Sequence, residues 1–340
     1  MKALAMTDNA KKTEPVMTTK KDNGQLLAFY RMMRLIRTVE SSLIKLFADG
    51  EIPGFIHLSI GQEAIAAGVM AALDARDSIA TTHRGHGHVL ARGIDLQRFF
   101  MELMGKADGI CGGRSGSMHV ADMDIGILGA NGIVGAGIPI ALGSALAHSV
   151  RKTGGVAVVF FGDGAMAEGV LHESLNLAAL WKLPLLFVCE NNGWSEFSPT
   201  REQFAAELGD LAKAFHIPHV MVDGNDVEAV AAAANELTSQ ARSAGPRVLE
   251  CKTHRVRGHF EGDPQKYRPD EDAGIGAEID PLTQVELKLA QRGVRATEIE
   301  AIIADCETRV AAAVEKGRAA AQPDFVHALA DVYTNQATRG

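Results

Sequence analysis

Two unbroken apolar runs, each followed directly by polar residues, constrain the fold of this chain most strongly. Residues 156–161 lead into Asp163 and its two flanking glycines, and residues 185–189 lead into a pair of asparagines that ends at Asn192. Continuous apolar runs of this length predict parallel strands that are buried on both faces of a sheet. Because residues 169–181 between them have the apolar spacing of a helix, we predict a strand, a helix and a second strand.

The polar side chains after these strands predict a metal site. Open α/β sheets bind ligands at the carboxyl ends of their strands, so Asp163 and Asn192 are expected to meet there. A carboxylate and an amide are hard oxygen ligands that suit Mg²⁺ or Ca²⁺, and Gly162 and Gly164 allow the backbone to approach phosphate groups. An ordinary turn, with Asp163 capping the next helix, is the alternative. Because Asn192 stands at the end of the next strand, the sequence favours a magnesium-bound diphosphate.

Five ordered blocks of sequence carry a family resemblance. Gly162-Asp163-Gly164-Ala165, with Asn192 placed 29 positions after the aspartate, resembles the thiamine diphosphate motif. The other blocks are residues 54–64, 82–87, 113–119 and 129–135. From about residue 25 to about residue 329, the chain resembles the alpha subunit of the first, decarboxylating component of 2-oxo-acid dehydrogenase complexes. The resemblance implies an α/β thiamine diphosphate-binding fold, mostly a parallel sheet with helices on both faces, and thiamine diphosphate and Mg²⁺ as cofactors.

The resemblance also implies roles for particular residues. Asp163, Asn192 and the backbone carbonyl of Trp194 are expected to hold the magnesium ion. The cofactor-binding residues that it implies are His83, Arg84, Gly132, Val134, Gly162, Asp163, Gly164, Ala165, Asn192 and His259. His83 and Trp194 both stand where many relatives carry tyrosine.

His57 and His259 are the candidates for acid-base catalysis. An imidazole titrates near neutral pH, so it can transfer a proton to a carbanion or stabilise an oxyanion. His259 lies in residues 254–264, which match the family's mobile loop over the cofactor mouth. We expect residues 255–268 to be disordered without cofactor and to become ordered when His259 meets the diphosphate.

The resemblance implies an activity that needs partner chains. A C–C bond of a small-molecule substrate is broken, and a two-carbon fragment is passed to a lipoyl group on a partner acyltransferase. A beta subunit supplies the glutamate that activates the cofactor, so neither Glu168 nor Glu190 is assigned that role. We therefore expect an alpha-two, beta-two heterotetramer with the cofactor between chains.

The substrate is expected to be acetoin. Residues 50–57, 82–88 and 258–263 look more like acetoin dehydrogenase alpha subunits than like pyruvate or branched-chain ones. Acetoin is neutral, so its site needs no cation dedicated to a substrate carboxylate. A decarboxylating dehydrogenase for pyruvate or branched-chain 2-oxo acids is the alternative.

Three other hypotheses are weaker. His83, His86 and His88 are candidate ligands of a metal ion. Their spacings of three and two in a Gly-rich loop, however, fit no standard zinc pattern. The glycines of residues 135–137 suggest a dinucleotide-binding turn, but position 140 is Ile140, no strand is expected before it, and the downstream acidic residue is absent. A non-catalytic scaffold subunit is the third, and it would fail to bind thiamine diphosphate.

Composition narrows the protein class. The net charge of −8 argues against nucleic acid as a partner, because phosphate backbones demand a basic face. Four cysteines that form no CxxC indicate neither a zinc cage nor a disulfide framework. No uncharged apolar stretch reaches the roughly 20 residues of a membrane span. We expect a cytoplasmic protein with a disordered tail at residues 1–23, a single domain at 24–335 and a short tail at 336–340.

Hydrophobic periodicity predicts the remaining elements. Helices are expected at 26–49, 62–73 and 227–242, strands at 220–222 and 248–251, and largely helical structure at 281–320. Residues 76–118 are rich in Gly and His and are expected to carry loops more than regular structure. The many Gly and Ala residues of 129–150 predict a helix packed closely against another backbone.

Overall fold

The computed structural model describes residues 20–269, 279–324 and 326. Within them lies a six-stranded, wholly parallel sheet with the strand order β2-β1-β3-β4-β8-β7. Its strands are β1 (Ser78–Thr82), β2 (Ile127–Asn131), β3 (Ala157–Gly162), β4 (Leu185–Asn191), β7 (His219–Asp223) and β8 (Arg247–Lys252). Two short antiparallel strands, β5 (Trp194–Ser195) and β6 (Ser198–Pro199), form a separate hairpin. The predicted strand, helix, strand unit is confirmed, because β3 pairs with β4 in parallel.

Helices cover both faces of the sheet, as predicted. The helices are α1 (Lys20–Ala48), α2 (Glu63–Met70), α3 (His86–Arg92), α4 (Leu96–Leu103), α5 (Gly137–Arg151), α6 (Gly169–Trp181), α7 (Leu208–Ala214), α8 (Val227–Ala244), α9 (Pro281–Gln291) and α10 (Ala296–Ala319). Successive side chains of a strand point to opposite faces, and β3 shows the result. Val158 and Phe160 join a core with α1, α2, α8 and α10, whereas Val159 and Phe161 join a second core with α5, α6 and α7.

Local signals set several helix boundaries. The side chain of Asp226 accepts hydrogen bonds from the backbone N–H groups of Glu228 and Ala229, which otherwise lack partners in the first turn of α8. Asp280 caps α9 in the same way, with Pro281 at the first helical position. The predicted helices of 227–242 and 281–320 therefore form close to their expected positions.

Two sequence expectations were wrong. The first helix begins at Lys20, so residues 20–23 are helical and not part of a tail, while residues 1–19 and 336–340 lie outside the described residues. Residues 76–118 carry loops more than regular structure, as expected, although β1, α3 and α4 also lie there. A strand, β2, does precede residues 135–137, so the expected absence of a strand there was no argument against a dinucleotide-binding turn.

In the described part of the chain, no helix is long and apolar enough to span a membrane.

Candidate active site

A cavity of about 290 Å³ opens at the carboxyl ends of β1, β3 and β4. This position is where parallel α/β sheets bind ligands. Its wall also includes His57 and Gln62 before α2, residues between β2 and α5, and Arg255 and His259 after β8. All the residues to which the sequence assigned a site role line this one cavity: His57, His83, Arg84, Gly132, Val134, Gly162, Asp163, Gly164, Ala165, Asn192, Trp194 and His259.

Oxygen atoms cluster around Asp163. Its carboxylate accepts hydrogen bonds from the backbone N–H of Asn192 and from the hydroxyl of Thr200. The Asn192 side chain is held at both ends, since its Oδ1 accepts from the Trp194 N–H at 3.1 Å and its Nδ2 donates to Gln62 Oε1 at 3.2 Å. Burial raises the pKa of Asp163 to about 6, because only 1% of the residue is exposed and ionisation there loses hydration.

This oxygen cluster fits a hard divalent cation. Carboxylate, amide and hydroxyl oxygens are the donors that Mg²⁺ prefers, and a bound cation would offset the cost of ionising Asp163. The loop geometry requires glycine at Gly164, because a Cβ there would lie 2.5 Å from Ser195 Oγ. The Gly-Asp-Gly motif therefore allows the β5 hairpin to approach Asp163 closely.

Two buried guanidinium groups line the same cavity. Arg84 donates through Nη1 to the Leu58 carbonyl at 2.7 Å and through Nη2 to the His259 carbonyl at 2.8 Å. Burial, reinforced by the charge of Arg255, lowers the pKa of Arg84 to about 9. Arg255 is 1% exposed, and its Nε has no hydrogen-bond partner among the described residues. Buried positive charge bonded to neutral groups favours an anion such as a diphosphate.

Three histidine rings face one another in this wall. The ring centres are 4.6 Å apart for His57 and His83, 5.1 Å for His57 and His259, and 5.3 Å for His83 and His259. Burial, and next the nearby charge of Arg84, lowers the pKa of His57 and that of His259 to about 3. The same causes hold the pKa of His83 well below its usual range. All three rings are therefore neutral at physiological pH.

The structure separates the histidines that are close in sequence. His83 faces the cavity, but α3 begins at His86 and turns the next two rings into the core. His86 lies between Glu40 at 3.1 Å and Ser117 at 2.6 Å. His88 lies between Thr81 at 2.6 Å and Glu190 at 3.2 Å and stacks on Phe160. The doubt about a His83, His86 and His88 metal cluster was justified.

Sequence reasoning missed four residues that belong to the site. Gln62, Glu190 and Arg255 line the cavity, and Thr200 binds Asp163. Gln62 lay inside a block that carried the resemblance and Arg255 inside the matching loop 254–264, so the signal was present but was not extended to them. Glu190 directly precedes the asparagine pair. Nothing in the sequence pointed to Thr200, because its role depends on the β5 and β6 hairpin.

Residues 254–269 contribute Arg255 and His259 to the cavity wall and are held by a network centred on Asp263. One carboxylate oxygen of Asp263 accepts from the backbone N–H of His259 at 2.7 Å and from the Tyr267 hydroxyl at 2.6 Å. Arg255 Nη2 donates to the same hydroxyl at 3.1 Å. The backbone N–H of Glu261 also donates to the Ile56 carbonyl at 2.9 Å. These contacts position His259, and the expected ordering of the loop on cofactor binding stays a prediction.

Oxygen donors and two buried arginines at the carboxyl edge of a parallel α/β sheet are chemically suited to a cation and a phosphorylated ligand. The model of the dehydrogenase E1 component family matches residues 30–325. The chain therefore belongs to the dehydrogenase E1 component family, and the family resemblance is confirmed.

Individual relatives agree with this assignment. The acetoin:2,6-dichlorophenolindophenol oxidoreductase alpha subunit of Bacillus subtilis is 44% identical, over 91% of this chain and 93% of the relative. The protein of the same name in Cupriavidus necator is 46% identical, over 92% and 96%. The pyruvate dehydrogenase E1 component alpha subunit of Zymomonas mobilis is 42% identical, over 92% and 89%.

Proposed function

We propose that this chain is the alpha subunit of a thiamine diphosphate-dependent dehydrogenase that cleaves acetoin and passes the acetyl unit to a lipoyl acyltransferase. The observation that carries the proposal is the shared cavity of Asp163, Asn192, Arg84 and His259. It combines hard oxygen donors for Mg²⁺ with cationic and imidazole N–H donors for a diphosphate. Family membership and the two acetoin-oxidoreductase relatives support the same conclusion.

The cofactor would be held by residues of two kinds. Asp163, Asn192 and the backbone of Trp194 would hold the magnesium ion, and Arg84, His83 and His259 would hold the diphosphate. The remaining predicted contacts with the cofactor are made by Gly132, Val134, Gly162, Gly164 and Ala165. When bound, thiamine diphosphate supplies the electron sink that breaking a C–C bond next to a carbonyl requires.

His57 and His259 would handle the protons of the reaction. Release of acetaldehyde from acetoin requires loss of the proton on the acetoin hydroxyl. In the cofactor-free site, burial and Arg84 lower the pKa of both imidazoles and make them weak bases. The negative charge of a bound diphosphate would offset Arg84 and raise their basicity, so that an imidazole could accept that proton. The hydrogen bond from the His259 N–H to Asp263 fixes the backbone at that ring.

An open apolar wall supports the proposed beta subunit. Ile133 and Val134, on the cavity rim, are 72% and 50% exposed. Ile140, Leu146 and Val150 on α5, the helix that follows, are exposed as well. Large apolar surface of this kind is typical of a protein interface. A beta subunit that covers it would complete the cavity, in the alpha-two, beta-two arrangement that we propose.

A dehydrogenase for pyruvate or branched-chain 2-oxo acids is the second candidate. Pyruvate dehydrogenase E1 alpha subunits of Zymomonas mobilis and Rhizobium meliloti are 42% and 40% identical to this chain. These enzymes act on a charged carboxylate substrate, whereas acetoin carries no charge. The two candidates share the cofactor site and differ only in substrate.

Dye reduction by the reconstituted alpha-beta enzyme tests the proposal. With thiamine diphosphate and Mg²⁺ present, acetoin should reduce the dye faster than pyruvate or a branched-chain 2-oxo acid at equal subsaturating concentrations. A faster rate with pyruvate would overturn the acetoin assignment and leave the cofactor site intact. Failure of the wild-type enzyme to bind thiamine diphosphate would overturn the catalytic role itself and indicate a scaffold subunit.

A further inference from the structure

Three imidazoles from distant parts of the chain converge on one point of the cavity wall. Each of His57, His83 and His259 presents a ring nitrogen, and these nitrogens all lie within 4.8 Å of one another. The three rings come from the segment before α2, the end of β1 and the segment after β8. This trio differs from the Asp163 and Asn192 oxygen cluster in both position and ligand type.

The ring spacing matches that of a three-histidine metal site. Zinc-nitrogen bonds of about 2.0–2.1 Å and tetrahedral angles place the ring centres roughly 5 Å apart. The observed separations are 4.6, 5.1 and 5.3 Å. The ring planes are also inclined to one another, by 72°, 79° and 50°, so the rings do not stack face to face. Metal binding would draw one nitrogen of each ring to a common centre, from separations that are now within 4.8 Å.

An unsatisfied atom gives independent support. His57 is 8% exposed, and its Nδ1 is buried without a hydrogen-bond partner among the described residues. Leaving a buried polar nitrogen unpaired costs free energy, which a bound ligand would recover. His259 Nδ1 has only a long contact, 3.4 Å, to Arg255 Nη1. Two of the three rings therefore lack strong competing partners for their lone pairs.

We propose that His57, His83 and His259 form a binding site for a borderline divalent transition metal, for which Zn²⁺ is the probe. Imidazole suits zinc and related metals, whereas Mg²⁺ prefers oxygen ligands. Three protein ligands leave the fourth tetrahedral position open toward the cavity. Arg84 and Arg255 oppose a dication, and an anion such as hydroxide or chloride in the fourth position offsets their charge.

Zinc and the cofactor should exclude each other, a consequence that rests on the proposed function. His83 and His259 are proposed to face the diphosphate, to which a ring nitrogen can only donate an N–H. The same nitrogen must offer its lone pair to hold a metal. One ring nitrogen cannot do both, so occupancy of the histidine site lowers affinity for thiamine diphosphate.

The first test measures metal binding by the full, untagged and cofactor-free chain. Calorimetric titration with Zn²⁺ and optical titration with Co²⁺ should show one site, with the intense visible absorption of four-coordinate cobalt. His83→Tyr keeps an aromatic ring but removes the ligand, and it should weaken binding at least tenfold. The control His172→Gln removes a histidine of α6 that lies outside the cluster, and it should leave the affinity unchanged.

Folding and function are checked separately. The far-ultraviolet circular dichroism spectrum and the unfolding midpoint of His83→Tyr are compared with those of wild type. If His83→Tyr does not fold, His57→Gln takes its place. No zinc binding, or equal affinity in wild type and the folded cluster variants, would overturn the site. In the reconstituted alpha-beta enzyme, thiamine diphosphate with Mg²⁺ should raise the apparent dissociation constant for Zn²⁺ at least tenfold. Cofactor binding without this shift would overturn the antagonism, whereas no cofactor binding in a zinc-free titration would overturn only the proposed function.

Discussion

The backbone N–H of Asn192 donates a hydrogen bond to the carboxylate of Asp163. This contact joins the ends of β3 and β4, whose register pairs Gly162 with Glu190. The carboxylate is buried, so its charge is costly until a cation neutralises it. Two neighbouring strands therefore place a buried carboxylate where the proposed magnesium ion would stabilise its charge.

Removal of the Asp163 carboxylate should abolish magnesium-dependent cofactor binding. We expect Asp163→Ala to weaken thiamine diphosphate binding at least about 100-fold, beyond the loss typical for a residue that only supports a metal ligand. Isothermal titration of the reconstituted enzyme measures the effect. Glu173→Ala, which removes an exposed acid from α6, is the matched control. Unchanged affinity in Asp163→Ala would remove the central claim about the metal.

The charged carboxylate of Asp163 should lower the free energy of unfolding when no metal is bound. The folded pKa of Asp163, about 6, lies above its ordinary value of 3.8, so its favourable contribution is present at low pH and is lost as the pH rises through 6. Asp163→Asn resembles the protonated acid. At pH 8 it should be more stable than wild type by about 3 kcal/mol, and at pH 5 by about half of that. Urea unfolding in EDTA at both pH values measures this, and an advantage that grows toward pH 5 would contradict the sign.

Gln62 should act as a positioning residue for Asn192. Its Oε1 accepts the hydrogen bond from Asn192 Nδ2, which directs the amide oxygen of Asn192 to the opposite side. Gln62→Ala should lower the affinity for Mg²⁺ about 10–100-fold, as loss of an outer-shell partner does. Gln203→Ala removes an exposed glutamine and should have no effect. Magnesium titrations at saturating thiamine diphosphate separate the two variants.

The two proposed catalytic histidines, His57 and His259, should differ in a kinetic test. His57→Gln should reduce kcat for acetoin by about 10²–10⁴-fold, the usual contribution of a general acid or base. Its dissociation constant for thiamine diphosphate should stay close to wild type, because His57 is not among the proposed cofactor contacts. His259→Gln should impair both quantities. Equal losses of cofactor affinity in the two variants would show that their roles are not separate.

Asp263 should protect the loop of residues 254–269 from proteolytic cleavage. It accepts hydrogen bonds from the backbone of His259 and from Tyr267, so Asp263→Ala should expose the loop and increase the rate of tryptic cleavage there. Thiamine diphosphate with Mg²⁺ should slow cleavage in wild type. Glu261→Gln breaks only an outer ion pair with Arg257 and should change the rate little. Equal cleavage with and without cofactor would argue against ordering on binding.

Local sequence was sufficient for the centre of the fold. The apolar runs, the helix between them and the polar residues at their ends identified β3, α6 and β4. The structure adds that β3 and β4 are neighbours in the sheet, and adjacent parallel strands end at the same edge, so Asp163 and Asn192 lie together there. By contrast, α3 and α4 have only seven and eight residues, and helices this short depend on packing more than on their own composition.

The sequence by itself determined the family, the parallel sheet and the Gly-Asp-Gly element, because each is encoded in residues close along the chain. Only the tertiary structure decided which histidines meet, and it chose His57, His83 and His259 over the neighbours of His83. It also decided that Arg84 and Arg255 lose contact with solvent and that Thr200 reaches Asp163. These relationships come from contacts between distant segments, and their electrostatic consequences arise from burial, which no local pattern specifies.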